Sequence, residues 1–128
     1  MGGPFRLGAY AAIVRDGAVL LVEFEGRNGP YAHLPGGGVR PGETLHAALA
    51  RELREEACAG VHIGPLVCVW EYTPQGDRPR HGPQPQLELV FRCTLKPGCE
   101  PAMPARPDPG QVGLRWVPLG ELGAAGLV

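Results

Sequence analysis

The stretch that decides the reading runs from Leu34 to Gly60, LPGGGVRPGETLHAALARELREEACAG. Its second half is built from Ala, Leu, Glu and Arg, which lose little on entering a helix. A helix is therefore expected from Thr44 to Ala57, introduced by Pro41-Gly42. On a wheel of about 100° per residue with Leu45 at zero, Leu49 falls at about 40° and Ala48 at about 300°. Glu52 falls at about 340° and Glu56 at about 20°, inside that apolar stripe, while Glu55 borders it at about 280°. Arg51 and Arg54 lie to one side. Two turns of the face that should meet the core are thus given to carboxylates.

Like charges three and four residues apart repel, and partial burial adds a desolvation cost. Such a cluster persists when something neutralises it. A hard divalent cation such as Mg2+, which takes oxygen ligands, suits three carboxylates. The plainer alternative for a bare E-x-x-E-E is a solvated acidic face paired with Arg51 and Arg54. The glycines ahead of the helix weigh against it, because Gly36-Gly37-Gly38 lets backbone groups approach an anion or a metal without interference from a Cβ. With Pro35, these glycines are not expected inside a regular element. Neither common nucleotide-binding loop is present. Glu43-Thr44 stands where a P-loop needs Lys-Ser/Thr, and Pro41 takes the last glycine of G-x-G-x-x-G.

Outward from this stretch, Ala9–Val14 and Ala18–Phe24 read as strands around the turn-forming pair Asp16-Gly17. Gly26–Tyr31 reads as a loop. Val61–Glu71 reads as a strand bent at Gly64-Pro65, with Trp70 expected in the core. Leu87, Leu89, Phe91 and Cys93 alternate with Glu88, Val90, Arg92 and Thr94, the pattern of a strand with one buried face. Thr73–Pro85 and Lys96–Gly113 are proline-containing loops, Leu114–Val117 a last strand, and Leu119 onward the start of a short helix. That short ending leaves room for the chain to run on past Val128.

At 128 residues the chain fits one domain, and strands mixed with helices argue for an α/β fold. A net charge of −1 supplies no basic field for nucleic acid or an anionic membrane, so phosphate recognition has to be local. There is no apolar run of transmembrane length and no signal-peptide pattern at the N-terminus. Cys58, Cys68, Cys93 and Cys99 show no C-x-x-C spacing, and reduced thiols in a cytoplasmic protein are expected. Eleven of the twelve basic residues are Arg and prolines number fifteen, so one Arg or one Pro at a tempting position carries little weight.

Residues 37–59 resemble the Nudix box, G-x5-E-x7-R-E-U-x-E-E-x-G-U with U aliphatic. Gly37, Glu43, Arg51, Glu52, Leu53, Glu55 and Glu56 match at the family's spacings, and Leu34-Pro35-Gly36 is similar to its usual lead-in. The departures are Cys58 in the place of the usual Gly and Ala59 at the last aliphatic position, with Gly60 expected to cap the helix instead. The resemblance implies an α/β/α sandwich around a mixed β-sheet, in one domain over residues 1–128. It also implies a Mg2+-dependent hydrolase, with Mn2+ an acceptable substitute. Water would attack phosphorus in a nucleoside diphosphate linked to another group, in the nucleoside triphosphate, ADP-ribose or nucleotide-sugar class.

By motif position, Glu52, Glu55 and Glu56 would bind metal, with the Gly36 carbonyl a further ligand. Glu52 would act as base, directly or through water on the metal, while Arg51 and Glu43 orient the carboxylates. Relatives use another acidic residue outside the box. Glu88 is the first choice here, ahead of Asp108 and then Glu100. For the substrate, Gly37 and Gly38, the basic residues Arg78, Arg80 and His81, and Tyr31 are the candidates. His33, Trp70 and Tyr72 offer further rings, and Pro74 lies near a proline associated with ADP-ribose-cleaving relatives. A homodimer is compatible with the resemblance. Two other readings are a non-catalytic ligand-sensing or protein-binding domain of the same fold, which need not keep the carboxylates, and a calcium module, whose loop pattern is missing.

Overall fold

Asp16 and Gly17 both take left-handed backbone angles, φ 51° and 76°. A two-residue turn needs such angles to follow the twist of the strands it joins. Those strands are β1 (Arg6–Arg15) and β2 (Ala18–Gly26), paired at Val14 with Val19 and Arg15 with Ala18. The structure, a computed structural model, describes residues 5–73 and 84–124. Pro74, Arg78, Arg80 and His81, singled out above, lie outside the described residues.

Beyond the turn β1 leaves β2 and joins a second set of strands. It runs parallel to β6 (Gln86–Leu95) on one side and antiparallel to β4 (Gly36–Gly38) on the other. Antiparallel to β6 lies β5 (Val61–Tyr72), with its register shifted between Ile63 and Cys68, beside the expected bend at Gly64-Pro65. On the other side of the hairpin, β2 sits between β3 (Gly29–His33) and β7 (Gln111–Pro118). The result is a mixed sheet with β3 and β5 at the two ends of its strand order.

Alternation along the strands sends side chains to two layers. Ala9, Ala11, Ile13, Leu20, Phe91 and Cys93 meet Leu49, Leu53 and Ala57 of α1 (Leu45–Ala57) on one face. Val19, Leu21, Ala32 and Val117 pack with Leu122 of the short 3-10 helix Leu119–Ala124 on the other. These layers give the α/β/α sandwich around a mixed sheet. Leu49 and Leu53 are fully buried, each contributing about 2 kcal/mol of burial free energy. Small Ala9 and Ala11 let the helix lie close on β1.

Three local expectations give way to the tertiary structure. Gly36–Gly38 forms a strand, because β1 offers a free side and only glycine fits there: a Cβ on Gly36 would run into the Ala9 carbonyl and the Tyr10 Cα. Gly29–His33 is a strand rather than loop, since Pro30 lies at a sheet edge where a missing N–H costs nothing. Trp70 is 62% exposed, not core, because β5 is the other edge.

The helix begins as expected, with Thr44 Oγ1 accepting from Ala47 N at 3.0 Å. Its end differs. Cys58, rather than Gly60, takes the left-handed angles (φ 51°, ψ 33°), with its N–H returning to Arg54 O and Leu53 O. The box normally supplies glycine here, and this backbone shape explains why. Replacing Cys58 by Gly should therefore stabilise the fold by about 1 kcal/mol, read as a melting temperature a few degrees higher. A lower melting temperature would show that the cysteine side chain compensates for its strain.

Candidate active site

Arg51 is the hub of the loop–helix unit. The type II turn Arg40-Pro41-Gly42-Glu43, with Glu43 N donating to Arg40 O at 3.0 Å and Gly42 at φ 85°, turns Glu43 back toward the helix. Arg51 Nε and Nη2 then fork onto Glu43 at 2.7 and 2.9 Å, while Nη2 also reaches Gly38 O at 3.0 Å. Nη1 donates to Glu52 Oε1 at 2.7 Å and Glu55 Oε1 at 3.2 Å. A guanidinium has five N–H donors, and five contacts use them all. The hydrogen bonds from Arg51 hold the Glu43 carboxyl down to about 2, well below the usual carboxylate range. Glu43 in turn raises the Arg51 guanidinium further. The pairing of carboxylates with Arg51 weighed in the sequence is thus present, and Arg54 has no part in it.

Glu56 stands apart from this network. It is 5% exposed, and its Oε1 accepts the Gly36 N–H at 2.9 Å. Burial pushes its carboxyl up to about 8, partly offset by the Gly36 hydrogen bond and reinforced by the charges of Asp108 and Glu52 and a hydrogen bond with Asp108. Asp108 reaches it because buried Gln111 latches the loop to the helix. The Gln111 Oε1 accepts from Asp108 N at 3.2 Å and its Nε2 donates to Glu56 O at 2.8 Å. Glu52 lies against Gly37, where a Cβ would meet its carboxylate within 2.5 Å.

Among the described residues, two hollows lie on the side of β1 that carries Tyr10. A small one, about 90 Å3, lies between Glu56, Gly36 and the stacked pair Phe24–Tyr31, whose centroids are 5.1 Å apart. A larger one, about 320 Å3, lies between Trp70, Cys68, Val90 and Glu88. Tyr10, His33 and Leu34 line both. Burial, followed by the charges of Glu88 and Glu56, raises the Tyr10 hydroxyl well above its ordinary value.

The structure thus brings Arg51, Glu43, Glu52, Glu55 and Gly38 into one network, and Glu56, Gly36 and Asp108 into another. Tyr31 lies at the small hollow. Glu88 is placed elsewhere, in the large cavity, with Oε1 3.4 Å from His33 Nε2. Glu100 pairs with Arg15 at 2.8 Å, far from the helix in sequence and outside both networks. Tyr10, Phe24 and Gln111 were not singled out by the sequence. The strand alternation of Tyr10 and Phe24 was a usable signal, whereas nothing local marks Gln111. Among the described residues, no three acidic, His or Cys side chains already converge as a metal cage.

The NUDIX domain model matches residues 4–127. The chain belongs to the Nudix family. Solved Nudix structures superpose over nearly the whole chain. A MutT Nudix hydrolase from Burkholderia pseudomallei is 30% identical, with a TM-score of 0.75 over 94% of this chain and 88% of that one. A Nudix hydrolase from Nitrosomonas europaea is 24% identical, with a TM-score of 0.77 over 95% and 78%. An ADP-ribose pyrophosphatase from Streptococcus suis, also 24% identical, gives a TM-score of 0.66 over 93% and 78%. A search of curated proteins finds no match. In the Nudix fold of this chain, no helix among the described residues is long and apolar enough to cross a membrane.

Proposed function

We propose that this Nudix hydrolase cleaves a phosphoanhydride in a nucleoside diphosphate linked to a further group, with Mg2+ as cofactor and Mn2+ able to replace it. The observation that carries the reading is Glu56, a buried carboxyl facing Asp108 with no basic side chain among its hydrogen-bond partners. Two acidic groups in contact need a proton or a cation between them. The donor set fits the cation. Oxygen is the ligand type Mg2+ prefers, and Glu52, Glu55, Glu56 and the Gly36 carbonyl lie on the loop–helix unit, where Arg51 holds the Glu52 and Glu55 carboxylates and the Gly38 carbonyl. When bound, Mg2+ neutralises diphosphate charge and makes water a better nucleophile at neutral pH.

The remaining work falls to the chain. Arg51 and Glu43 hold the helix and the glycine strand as a unit, and Gly37 and Gly38 leave room for the substrate's phosphates. Of the acidic residues outside the box, Asp108 takes the part first offered to Glu88, because the Gln111 latch sets it beside Glu56. It shares with Glu52 the task of receiving the proton from the attacking water. Glu52 already commits Oε1 to Arg51. Phe24 and Tyr31 wall the hollow next to Glu56. Arg78, Arg80 and His81 remain proposals as phosphate contacts.

The test is a panel of nucleoside triphosphates, ADP-ribose, nucleotide sugars and dinucleoside polyphosphates, assayed with Mg2+ and with EDTA in 18O-labelled water. Cleavage of one class, abolished by EDTA and placing the label on one phosphate product, is expected. Absence of turnover across the panel by folded, metal-binding protein would favour a ligand-sensing domain.

A further inference from the structure

Gln111 holds a third partner besides Asp108 and Glu56. It is buried, and the Asp108 N–H fixes which end of its amide is oxygen, because only Oε1 can accept there. The other end, Nε2, has two protons to place. One goes to the Glu56 carbonyl at 2.8 Å. The second meets the thioether sulfur of Met103 at 3.4 Å. A thioether is a weak acceptor, so the bond to Glu56 dominates and the amide stays with the helix.

Met103 is 39% exposed, so its side chain lies open to a small oxidant in solvent while its sulfur touches a buried group. Its backbone is tied down. Ala102 N donates to the Ala57 carbonyl at 2.8 Å, so the loop meets two neighbouring carbonyls at the helix end, Glu56 through Gln111 and Ala57 through Ala102.

The geometry points to Met103 as an oxidation site through which a peroxide releases Asp108 from Glu56. The Met103 sulfur donates an electron pair to one peroxide oxygen, and the S–O bond forms as the O–O bond breaks. Sulfur is oxidised and the peroxide reduced, the proton of the transferred oxygen passing to the departing hydroxide to give water. The product, methionine sulfoxide, is polar where the thioether was apolar, and its oxygen is the stronger acceptor. A 3.4 Å gap between nitrogen and sulfur has no room for a further atom, so the new oxygen displaces the amide or draws it away. Either way Nε2 leaves the Glu56 carbonyl, the Asp108 N–H loses its acceptor, and Asp108 is no longer held beside Glu56. The release stands on geometry alone. Its effect on turnover rests on the hydrolase reading and on the part given there to Asp108, where a misplacement of about 1 Å costs up to a hundredfold.

The experiment treats the full chain with hydrogen peroxide, returns the thiols to their reduced form with dithiothreitol, and locates the added oxygen by peptide mass spectrometry. Two quantities are then read: kcat with Mg2+ on the substrate found in the panel, and exchange of the Asp108 amide proton by NMR in EDTA. Oxidation at Met103 should lower kcat about tenfold and speed the exchange by a similar factor. Methionine sulfoxide reductase should reverse both. Met103→Gln, which sets an amide oxygen in place of the sulfoxide's, should show both changes without peroxide. Met103→Leu keeps the volume without the sulfur and should stay within about twofold of the untreated wild type before and after treatment. A Met103 that stays unoxidised where free methionine is converted, unchanged Asp108 exchange in the oxidised chain, or an equal change in treated Met103→Leu would each overturn the inference. Faster exchange in a chain that cleaves nothing even before treatment would leave the release standing and remove the hydrolase reading. Faster exchange with kcat intact would leave it standing and take from Asp108 its part in the reaction.

Discussion

Glu56→Gln is expected to raise the melting temperature of the metal-free protein at pH 8 while greatly slowing turnover. The wild-type carboxyl titrates at about 8 when folded, against 4.5 ordinarily, chiefly because it is buried. Below pH 4.5 it is protonated in both states and costs nothing. As pH rises from 4.5 to 8 the unfolded chain releases a proton that the native state retains, so stability falls across that window. At about 1.4 kcal/mol per pH unit over that window the ceiling is on the order of 5 kcal/mol. A neutral amide carries no such burden and can still accept from Gly36 N. Thermal melts in EDTA from pH 5 to pH 8.5 should therefore decline for the wild type and run flatter for the variant. Mg2+ should raise the wild-type melting temperature at pH 8 and leave the variant's nearly unchanged. The loss in kcat should be about two to three orders of magnitude, the effect of taking one charge-stabilising group from a reaction centre. A variant less stable than wild type at pH 8 in EDTA would mean that Glu56 carries no burial cost.

Arg51→Ala should have the opposite signature. Its side chain is 14% exposed and holds Glu43, Glu52 and Glu55 along with the Gly38 carbonyl. Removing the cation leaves partly buried carboxylates facing one another, a loss of about 3 kcal/mol or more. Arg51→Lys restores the charge without the planar fork and should recover only part of it. The pH dependence also differs. Glu43 is depressed to about 2, so its contribution is present above pH 4.5 and is lost as pH falls through that range toward 2. Denaturant unfolding from pH 2 to pH 6 should show this acid loss in the wild type and a weaker one in Arg51→Ala. A variant within about 1 kcal/mol of wild type at pH 6 would reduce the network to a set of surface pairs.

What could be read from the sequence was local. The helix and the Asp16-Gly17 turn depend on neighbours in the chain, and the carboxylates in the apolar stripe pointed to a candidate site before any fold was drawn. What escaped depended on distant partners. The glycines at 36–38 look like a break until β1 lies beside them, and Pro30 looks like a loop until its strand is known to be an edge. The sequence could not say that Glu88 lines the larger cavity while Asp108 lies beside Glu56. Which strand residue faces which hollow, and the Gln111 latch that brings residue 108 to residue 56, are matters of tertiary geometry.

Arg51 has no donor left to give. The unit it ties together, from Gly38 through Glu55, has little freedom to adapt without losing several bonds at once. Tyr31 and Trp70, by contrast, sit on β3 and β5, the two terminal strands of the sheet, where a changed side chain disturbs few neighbours. On the proposed function, the cleaving half of the protein is therefore conservative by construction, and the recognising half is open to change. A lineage descended from this chain could exchange one substrate for another by altering its sheet margins, without revisiting the machinery that breaks the bond.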